Sequence, residues 1–188
     1  MKLYLIRHGE SENNLAGLWT GWMDVALTEK GHEDAQKARA ILQHVTFDRV
    51  YCSDLHRAKQ TAQIALPEYA AESTPLLREI HVGSLQGKPF SALTAEARAR
   101  VPQLGYSEFG GETHEEFQNR ITTFLHQMED LGCENVAAFS HGGWLRGAFR
   151  HVLGVQPQND TLCCRNCTVE ILEFSADRWK LHSWINLF

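Results

Sequence analysis

Apolar positions along the chain alternate between short continuous runs and helical stripes. Leu3-Tyr4-Leu5-Ile6 is an unbroken run that predicts a buried strand. From Thr28 to Gln43 the spacing turns helical: Thr28 is placed to cap, Glu29 and Glu33 suit the first turns, and Ala35, Ala38, Ile41 and Leu42 share a face. Arg49-Val50-Tyr51-Cys52 predicts a second strand, with Ser53 or Asp54 expected to cap a helix through Ala58, Thr61, Ala62 and Ala65. Thr113-His114-Glu115-Glu116 has the form of a capping box ahead of Phe117, Ile121, Phe124, Leu125 and Met128, and Gly132 is expected to end that helix. Asn135 to Phe139 predicts a third buried strand, then a helix with Trp144, Leu145, Ala148 and Val152 inward. Thr168 to Phe174 and Trp179 to Trp184 predict two more strands around a turn at Ser175-Ala176-Asp177. No repeat, low-complexity tract or linker interrupts the pattern, so one continuous domain over 1–188 is expected.

Strand alternating with helix implies an α/β fold with a mostly parallel sheet. Ligands in such folds sit beyond the carboxyl ends of the strands. Arg7 and His8 follow the first strand directly, Arg57 lies on the first turn after the second, and Ser140, His141 and Gly142 follow the third. Two histidines and two arginines from distant segments are thus expected around one ligand.

Length and charge narrow the picture. A chain of 188 residues suits a single sizeable core. Its net charge of -5 offers no basic surplus for nucleic acid or an anionic membrane, so neither is expected as a partner. A site for a small anion must then be a local concentration of positive charge. The apolar run at the N-terminus is too short for a signal peptide, and no stretch of about 18 apolar residues occurs, which makes a cytoplasmic location the expectation. The five cysteines are odd in number and lack the density of a disulfide scaffold. Cys164-Arg165-Asn166-Cys167 is a lone C-x-x-C, expected to be plain strand or loop cysteines rather than a metal or redox motif.

The convergent residues suit phosphate chemistry. A phosphate monoester carries close to two negative charges, and the arginine fork donates paired hydrogen bonds to such a group without deprotonating. Arg7 and Arg57 could clamp the equatorial oxygens while His8 attacks phosphorus in line. The same arginines favour the neutral imidazole that attack requires, and a backbone carbonyl near Gly9 could fix its tautomer. His141 fits better as a further donor to phosphoryl oxygens than as a second nucleophile. Glu79, in Leu77-Arg78-Glu79-Ile80-His81-Val82-Gly83, is the candidate general acid for the leaving oxygen and base for the attacking water. No metal and no cofactor is called for. Trp19, Trp22 and Trp144 are expected in the core, and His32, His44, His56, His114, His126, His151 and His182 on the surface or satisfied within it.

Leu5-Ile6-Arg7-His8-Gly9-Glu10-Ser11 closely resembles the signature of the histidine phosphatase superfamily, which includes the cofactor-dependent phosphoglycerate mutases. The segment Thr20 to Gly31, the element Ser53-Asp54-Leu55-His56-Arg57-Ala58-Lys59-Gln60-Thr61, the stretch Glu79 to Gly87 and Ser140-His141-Gly142-Gly143 resemble further family motifs in the family's order. The resemblance implies a phosphoglycerate mutase-like three-layer sandwich with a mostly parallel central sheet. It also implies a phosphorylated His8, a phosphate pocket of Arg7, Arg57 and His141, and Glu79 as proton donor. Asn14, Thr20, Gly21 and the Gly142 amide would add substrate contacts.

The subclass turns on Lys88 to Glu112. Mutases carry a longer insertion with adjacent arginines there, whereas this stretch is short and holds only Lys88, Arg98 and Arg100 among glutamates. Gly110-Gly111-Glu112-Thr113 resembles an element of phosphatases such as α-ribazole phosphatase, although Trp19 to Gly31 looks mutase-like. The reading therefore leans to a phosphomonoesterase acting on a small phosphorylated metabolite, an α-ribazole phosphate or a sugar phosphate among the candidates. Phosphoglycerate mutase is the alternative, and an inactive phospholigand-binding domain a third reading. Residues 88–112 are expected to roof the pocket, and the tail strands offer an edge to which a second copy could pair.

Overall fold

The computed structural model describes residues 1–155 and 162–187. Its strands are β1 (Lys2–Arg7), β2 (Arg49–Ser53), β3 (Glu72–Thr74), β4 (Asn135–Ser140), β5 (Val169–Ser175) and β6 (Arg178–Ile185). Its α-helices are α1 (Glu12–Ala16), α2 (Glu29–Leu42), α3 (His56–Ala65), α4 (Ala95–Leu104), α5 (His114–Glu129) and α6 (Gly142–Leu153). The strands form one sheet in the order β3-β2-β4-β1-β5-β6. Pairing is parallel from β3 through β1 and antiparallel for β5 and β6, so the mostly parallel expectation holds.

Alternation within the strands divides the interior into two layers. Tyr4, Ile6, Val50, Cys52, Ala137 and Phe139 meet Ala38 and Leu42 of α2 and Ala62 and Ala65 of α3 on one face. Leu3, Leu5, Val136 and Ala138 meet Phe117, Ile121 and Phe124 of α5 and Trp144, Leu145 and Ala148 of α6 on the other. Helices on both faces give the three-layer sandwich. The period-two side-chain geometry of a strand is the cause.

The sheet sets the level of the site. β1 and β4 pair in register from Lys2↔Asn135 to Arg7↔Ser140, so the next residues, His8 and His141, leave adjacent strands side by side. The segment after β1 is then folded tightly under α2. A Cβ on Gly9 would stand 2.3 Å from the Gly31 carbonyl oxygen, and one on Gly31 would stand 2.0 Å from that of Glu10. Only glycines allow backbones this close.

Several local expectations are corrected. Neither Ser53 nor Asp54 caps α3: its Ncap is Leu55 without a side-chain bond. The His56 amide is instead held by Asp24 Oδ1 at 2.6 Å. Asp54 pairs with the fork of Arg78 at 2.8 and 2.6 Å, a bidentate geometry a carboxylate prefers to a single amide. Gly132 does not end α5, which stops at Glu129 with Asp130 as its cap; Gly132 takes a left-handed turn afterwards, φ 65°. Ile41 lies at the edge of the α2 stripe and is exposed, while Asp34 is buried in its place beside Lys30. The short edge strand β3 carries no apolar pattern and escapes periodicity altogether.

Candidate active site

His8 follows β1 and is held by its backbone, its N–H donating to the Ser140 carbonyl at 3.0 Å. Nδ1 lies 2.7 Å from the Gly9 carbonyl oxygen, which can only accept, so this nitrogen carries the proton. Nε2 is therefore the unprotonated nitrogen, and it accepts from Arg57 Nε at 3.2 Å. His141 leads into α6, its ring edge-on to that of His8 with centroids 5.1 Å apart. Neither nitrogen of the buried His141 ring has a hydrogen-bond partner among the described residues. Burial first, then the Arg57 and Arg7 guanidiniums, push His8 well below its ordinary 6.5. His141 is lowered for the same reasons, burial leading. Both rings are neutral at physiological pH.

Arg57 is 1% exposed although it sits on the first turn of a helix. Its Nη1 and Nη2 donate to the carbonyls of Met23 and Gly21, each at 2.9 Å, which fixes the fork in a single pose. Burial draws it down to about 10, so it stays protonated at neutral pH. Arg7 donates Nη1 to the Cys164 carbonyl, and its Nε has no partner among the described residues. The Cys164–Cys167 segment also sends Asn166 Nδ2 to the His8 carbonyl at 3.0 Å, fastening the backbone that carries the imidazole.

Glu79 reaches the start of α6 from the other side. Its Oε2 accepts from the Gly143 amide and its Oε1 from that of Ile80, both at 2.9 Å. A negative group at a helix N-terminus meets the orphan amides and the positive end of the macrodipole. Gly143 is needed for this contact: a Cβ there would lie 2.2 Å from Glu79 Oε1.

Arg7, His8, Asn14, Thr20, Gly21, Arg57, Glu79 and Gly142 all line one cavity of about 180 Å³. Of the residues singled out from sequence, His141 does not line it, being wholly buried behind His8. Asn14 has a second duty, its Oδ1 accepting from Ser11 N at 3.2 Å in the capping box of α1. Trp19 packs against the core and also forms a cavity wall, with Phe90 and Tyr106 edge-on against it at 5.2 and 5.7 Å. Trp144 is wholly buried, as expected. Phe90 and Tyr106 come from the 88–112 stretch, and Leu18, Ile80 and Val82 extend the apolar wall. Arg146 also lines the cavity. It lies four residues after Gly142, the same face of α6, a spacing that sequence reading could have used. A larger hollow of about 430 Å³ between α5 and α6, with Phe117, Arg150 and His151 in its wall, contains none of these groups.

The C-x-x-C thiols do not join the chemistry. Cys164 and Cys167 are buried and free, and burial raises both, Cys167 to about 12, so neither is a thiolate at neutral pH. No cluster of three metal-ligating side chains occurs among the described residues.

A buried neutral imidazole flanked by two guanidiniums and opposed by a carboxyl is an arrangement for phosphoryl transfer. Residues 3–187 match the histidine phosphatase superfamily (branch 1). The chain belongs to that family. Histidine phosphatases are phosphoryl-transfer enzymes that need no metal. An adenosylcobalamin/alpha-ribazole phosphatase of Salmonella typhimurium is 35% identical over 153 residues, 77% of this chain and 76% of the relative. A 2,3-bisphosphoglycerate-dependent phosphoglycerate mutase of Lactobacillus acidophilus is 50% identical over 93 residues, but these cover 46% of this chain and 40% of the mutase. The alpha-ribazole phosphatase from Shigella flexneri superposes with a TM-score of 0.88 at 26% identity, covering 100% of this chain and 97% of that one. No helix among the described residues is long and apolar enough to cross a membrane.

Proposed function

We propose that this histidine phosphatase hydrolyses a small phosphomonoester through a phosphohistidine at His8. The observation that carries the reading is the tautomer of His8. With its proton fixed on Nδ1 by the Gly9 carbonyl, the Nε2 lone pair faces Arg57 at 3.2 Å in the cavity that Arg7 and Gly142 share. An arriving phosphoryl oxygen takes over the Arg57 Nε–H, which frees the lone pair for attack on phosphorus. The bond from phosphorus to the leaving oxygen breaks as the bond to nitrogen forms. Glu79 takes up the proton of the phosphate monoanion as the substrate binds and delivers it to the leaving oxygen. Water then attacks the phosphohistidine, gives a proton to Glu79 and releases phosphate with His8 restored. Arg7 and Arg57 hold the equatorial oxygens, and the His141 ring behind His8, which does not line the cavity, is assigned as a further donor once the phosphoryl group sits against His8. The Gly142 amide at the start of α6 adds a further donor. Asn14, Thr20 and Gly21 complete the substrate contacts.

The cavity beyond the phosphate end favours hydrolysis over the mutase reaction. Leu18, Trp19, Ile80, Val82, Phe90 and Tyr106 give it an apolar, partly aromatic wall, with Arg146 a single cation beside it rather than an adjacent pair. Such a wall suits a leaving group with an apolar face better than a carboxylate-bearing triose, which asks for paired cations. An α-ribazole phosphate satisfies this requirement. Free thiols on all five cysteines fit a reducing compartment, and we assign the activity to the cytoplasm. Two assays test the reading. Wild-type protein given an aryl phosphate should form an acid-labile, base-stable phosphoenzyme, absent in His8→Ala, and release phosphate equally with and without chelator. A bisphosphate-stimulated interconversion of 2- and 3-phosphoglycerate that outpaces hydrolysis would establish the mutase instead.

A further inference from the structure

Residues 75–81 carry Glu79 into the cavity without a strand ladder of their own. The segment contains one 3₁₀ turn, Pro75–Leu77, and then runs irregularly. Its carbonyls must find donors elsewhere, because a buried unpaired carbonyl is costly. A single side chain from α5 serves three of them. Arg120 Nη1 donates to the carbonyls of Leu76 and Arg78, both at 3.0 Å, and Nη2 to that of Glu79 at 3.1 Å. The guanidinium is itself held by Glu112, Nε to Oε1 at 2.7 Å and Nη2 to Oε2 at 2.9 Å. Glu112 Oε2 also accepts from the His81 amide at 2.8 Å, so the pair grips the chain on both sides of Glu79.

The Glu79 carbonyl has a second donor, Trp22 Nε1, at 2.6 Å. Trp22 lies between Gly21 and Met23, whose carbonyls hold the Arg57 fork. Arg78 covers the indole at 4.7 Å from its centroid. Trp22 thus ties the Glu79 backbone to the cradle of Arg57, while Arg120 anchors the same carbonyl to α5 and Glu112. Arg120 touches neither the cavity nor any group in it except through Glu79.

We propose that Arg120 is a positioning residue: with Glu112 and Trp22 it sets the distance between the Glu79 carboxyl and the phosphoryl group held by Arg57. This rests on Glu79 being the proton donor. A carboxyl hung from a loosened segment meets the leaving oxygen less often. That matters most for leaving groups that depart poorly without a proton.

The test compares wild type, Glu79→Gln, Arg120→Ala and the double variant on p-nitrophenyl phosphate and on an alkyl phosphate, with vanadate inhibition read alongside. Arg120→Ala should lower kcat on the alkyl ester ~10-fold or more beyond any loss on the aryl ester. The vanadate inhibition constant should stay within ~3-fold, since the phosphate pocket is untouched. The double variant should be no more than ~3-fold below Glu79→Gln, because residues acting as a unit are non-additive. Equal losses on both esters, or a fully additive double variant, would overturn the proposal, provided Glu79→Gln itself discriminates between the esters. If Glu79→Gln does not discriminate, the acid role of Glu79 falls instead. Should Arg120→Ala fail to fold, Trp22→Phe removes the other donor to the same carbonyl. It must then give the same ester discrimination in weaker form, and an even loss on the two esters would refute the idea.

Discussion

Replacing Gly143 by alanine separates the work of the Glu79 carboxyl from the stability of the fold. The new Cβ would lie 2.2 Å from Oε1 and 3.0 Å from Cδ of Glu79, where ordinary contact begins at 3.4 Å, so the carboxyl must retreat by about 1.2 Å. The obstructed atom is the end of a flexible side chain, and no backbone has to move. Alanine gains up to ~1 kcal/mol over glycine in a helix, while the bond from the Gly143 amide to a charged acceptor, ~1.5–3 kcal/mol, is weakened rather than abolished. These terms oppose, so the melting temperature should shift by no more than a few degrees, about the response to 1 kcal/mol in a chain of this size. Catalysis has no such offset. A misplacement near 1 Å costs ~10²-fold, and it falls on the proton-transfer step. The alkyl phosphate should therefore lose ~100-fold in kcat while p-nitrophenyl phosphate, whose leaving group needs no proton, stays within ~3-fold. Steady-state kinetics on the two esters, with a thermal melt of each protein, decide the matter. Near-normal turnover of the alkyl ester by a folded variant would refute the placement of the acid at Glu79.

Other outcomes follow from the same geometry. Arg57→Ala removes a buried guanidinium fixed by two carbonyls, and kcat/KM should fall by the equivalent of ~2–4 kcal/mol; turnover near that of wild type would refute the clamp. His8 and His141 are neutral in the fold and titrate near 6.5 when exposed, so the stability they contribute is present above that pH and lost as pH falls through their lowered folded values. Urea midpoints measured from pH 7.5 to 5 should decline, and His141→Asn should decline less steeply; parallel curves would count against the buried neutral ring. Glu170 behaves in the opposite sense. Both its oxygens are buried without a partner among the described residues and burial raises it well above 4.5, so its contribution is intact below 4.5 and lost as pH rises through the folded value. Glu170→Leu should thus stabilise the protein by ~1–3 kcal/mol at neutral pH, and an unchanged or lower urea midpoint would show the carboxyl to be satisfied.

What the sequence determined by itself was whatever depends on local period and chain order. The runs at Leu3–Ile6 and Asn135–Phe139 had to be buried strands, because an unbroken apolar run has no solvent face to offer. Thr28 and Thr113 had to start helices, their hydroxyls accepting from the Gly31 and Glu116 amides. Placing Arg7, His8, Arg57 and Gly142 at one end of the sheet required only the rule that strand ends meet there, and His141 leaves the sheet at the same level.

Tertiary structure decided the pairings between polar groups far apart in sequence. Asp24 rather than Asp54 serves the first amide of α3, and Arg78 takes Asp54 in its place. Glu79 finds the Gly143 amide across 64 positions, and Arg120 reaches carbonyls more than 40 residues away. Trp19 turns toward the cavity while Trp144 is buried, though both are tryptophans in apolar surroundings. Periodicity reports only which face of an element is dry. The direction of an irregular backbone, and which donor lies opposite each of its carbonyls, depends on how whole elements dock against one another.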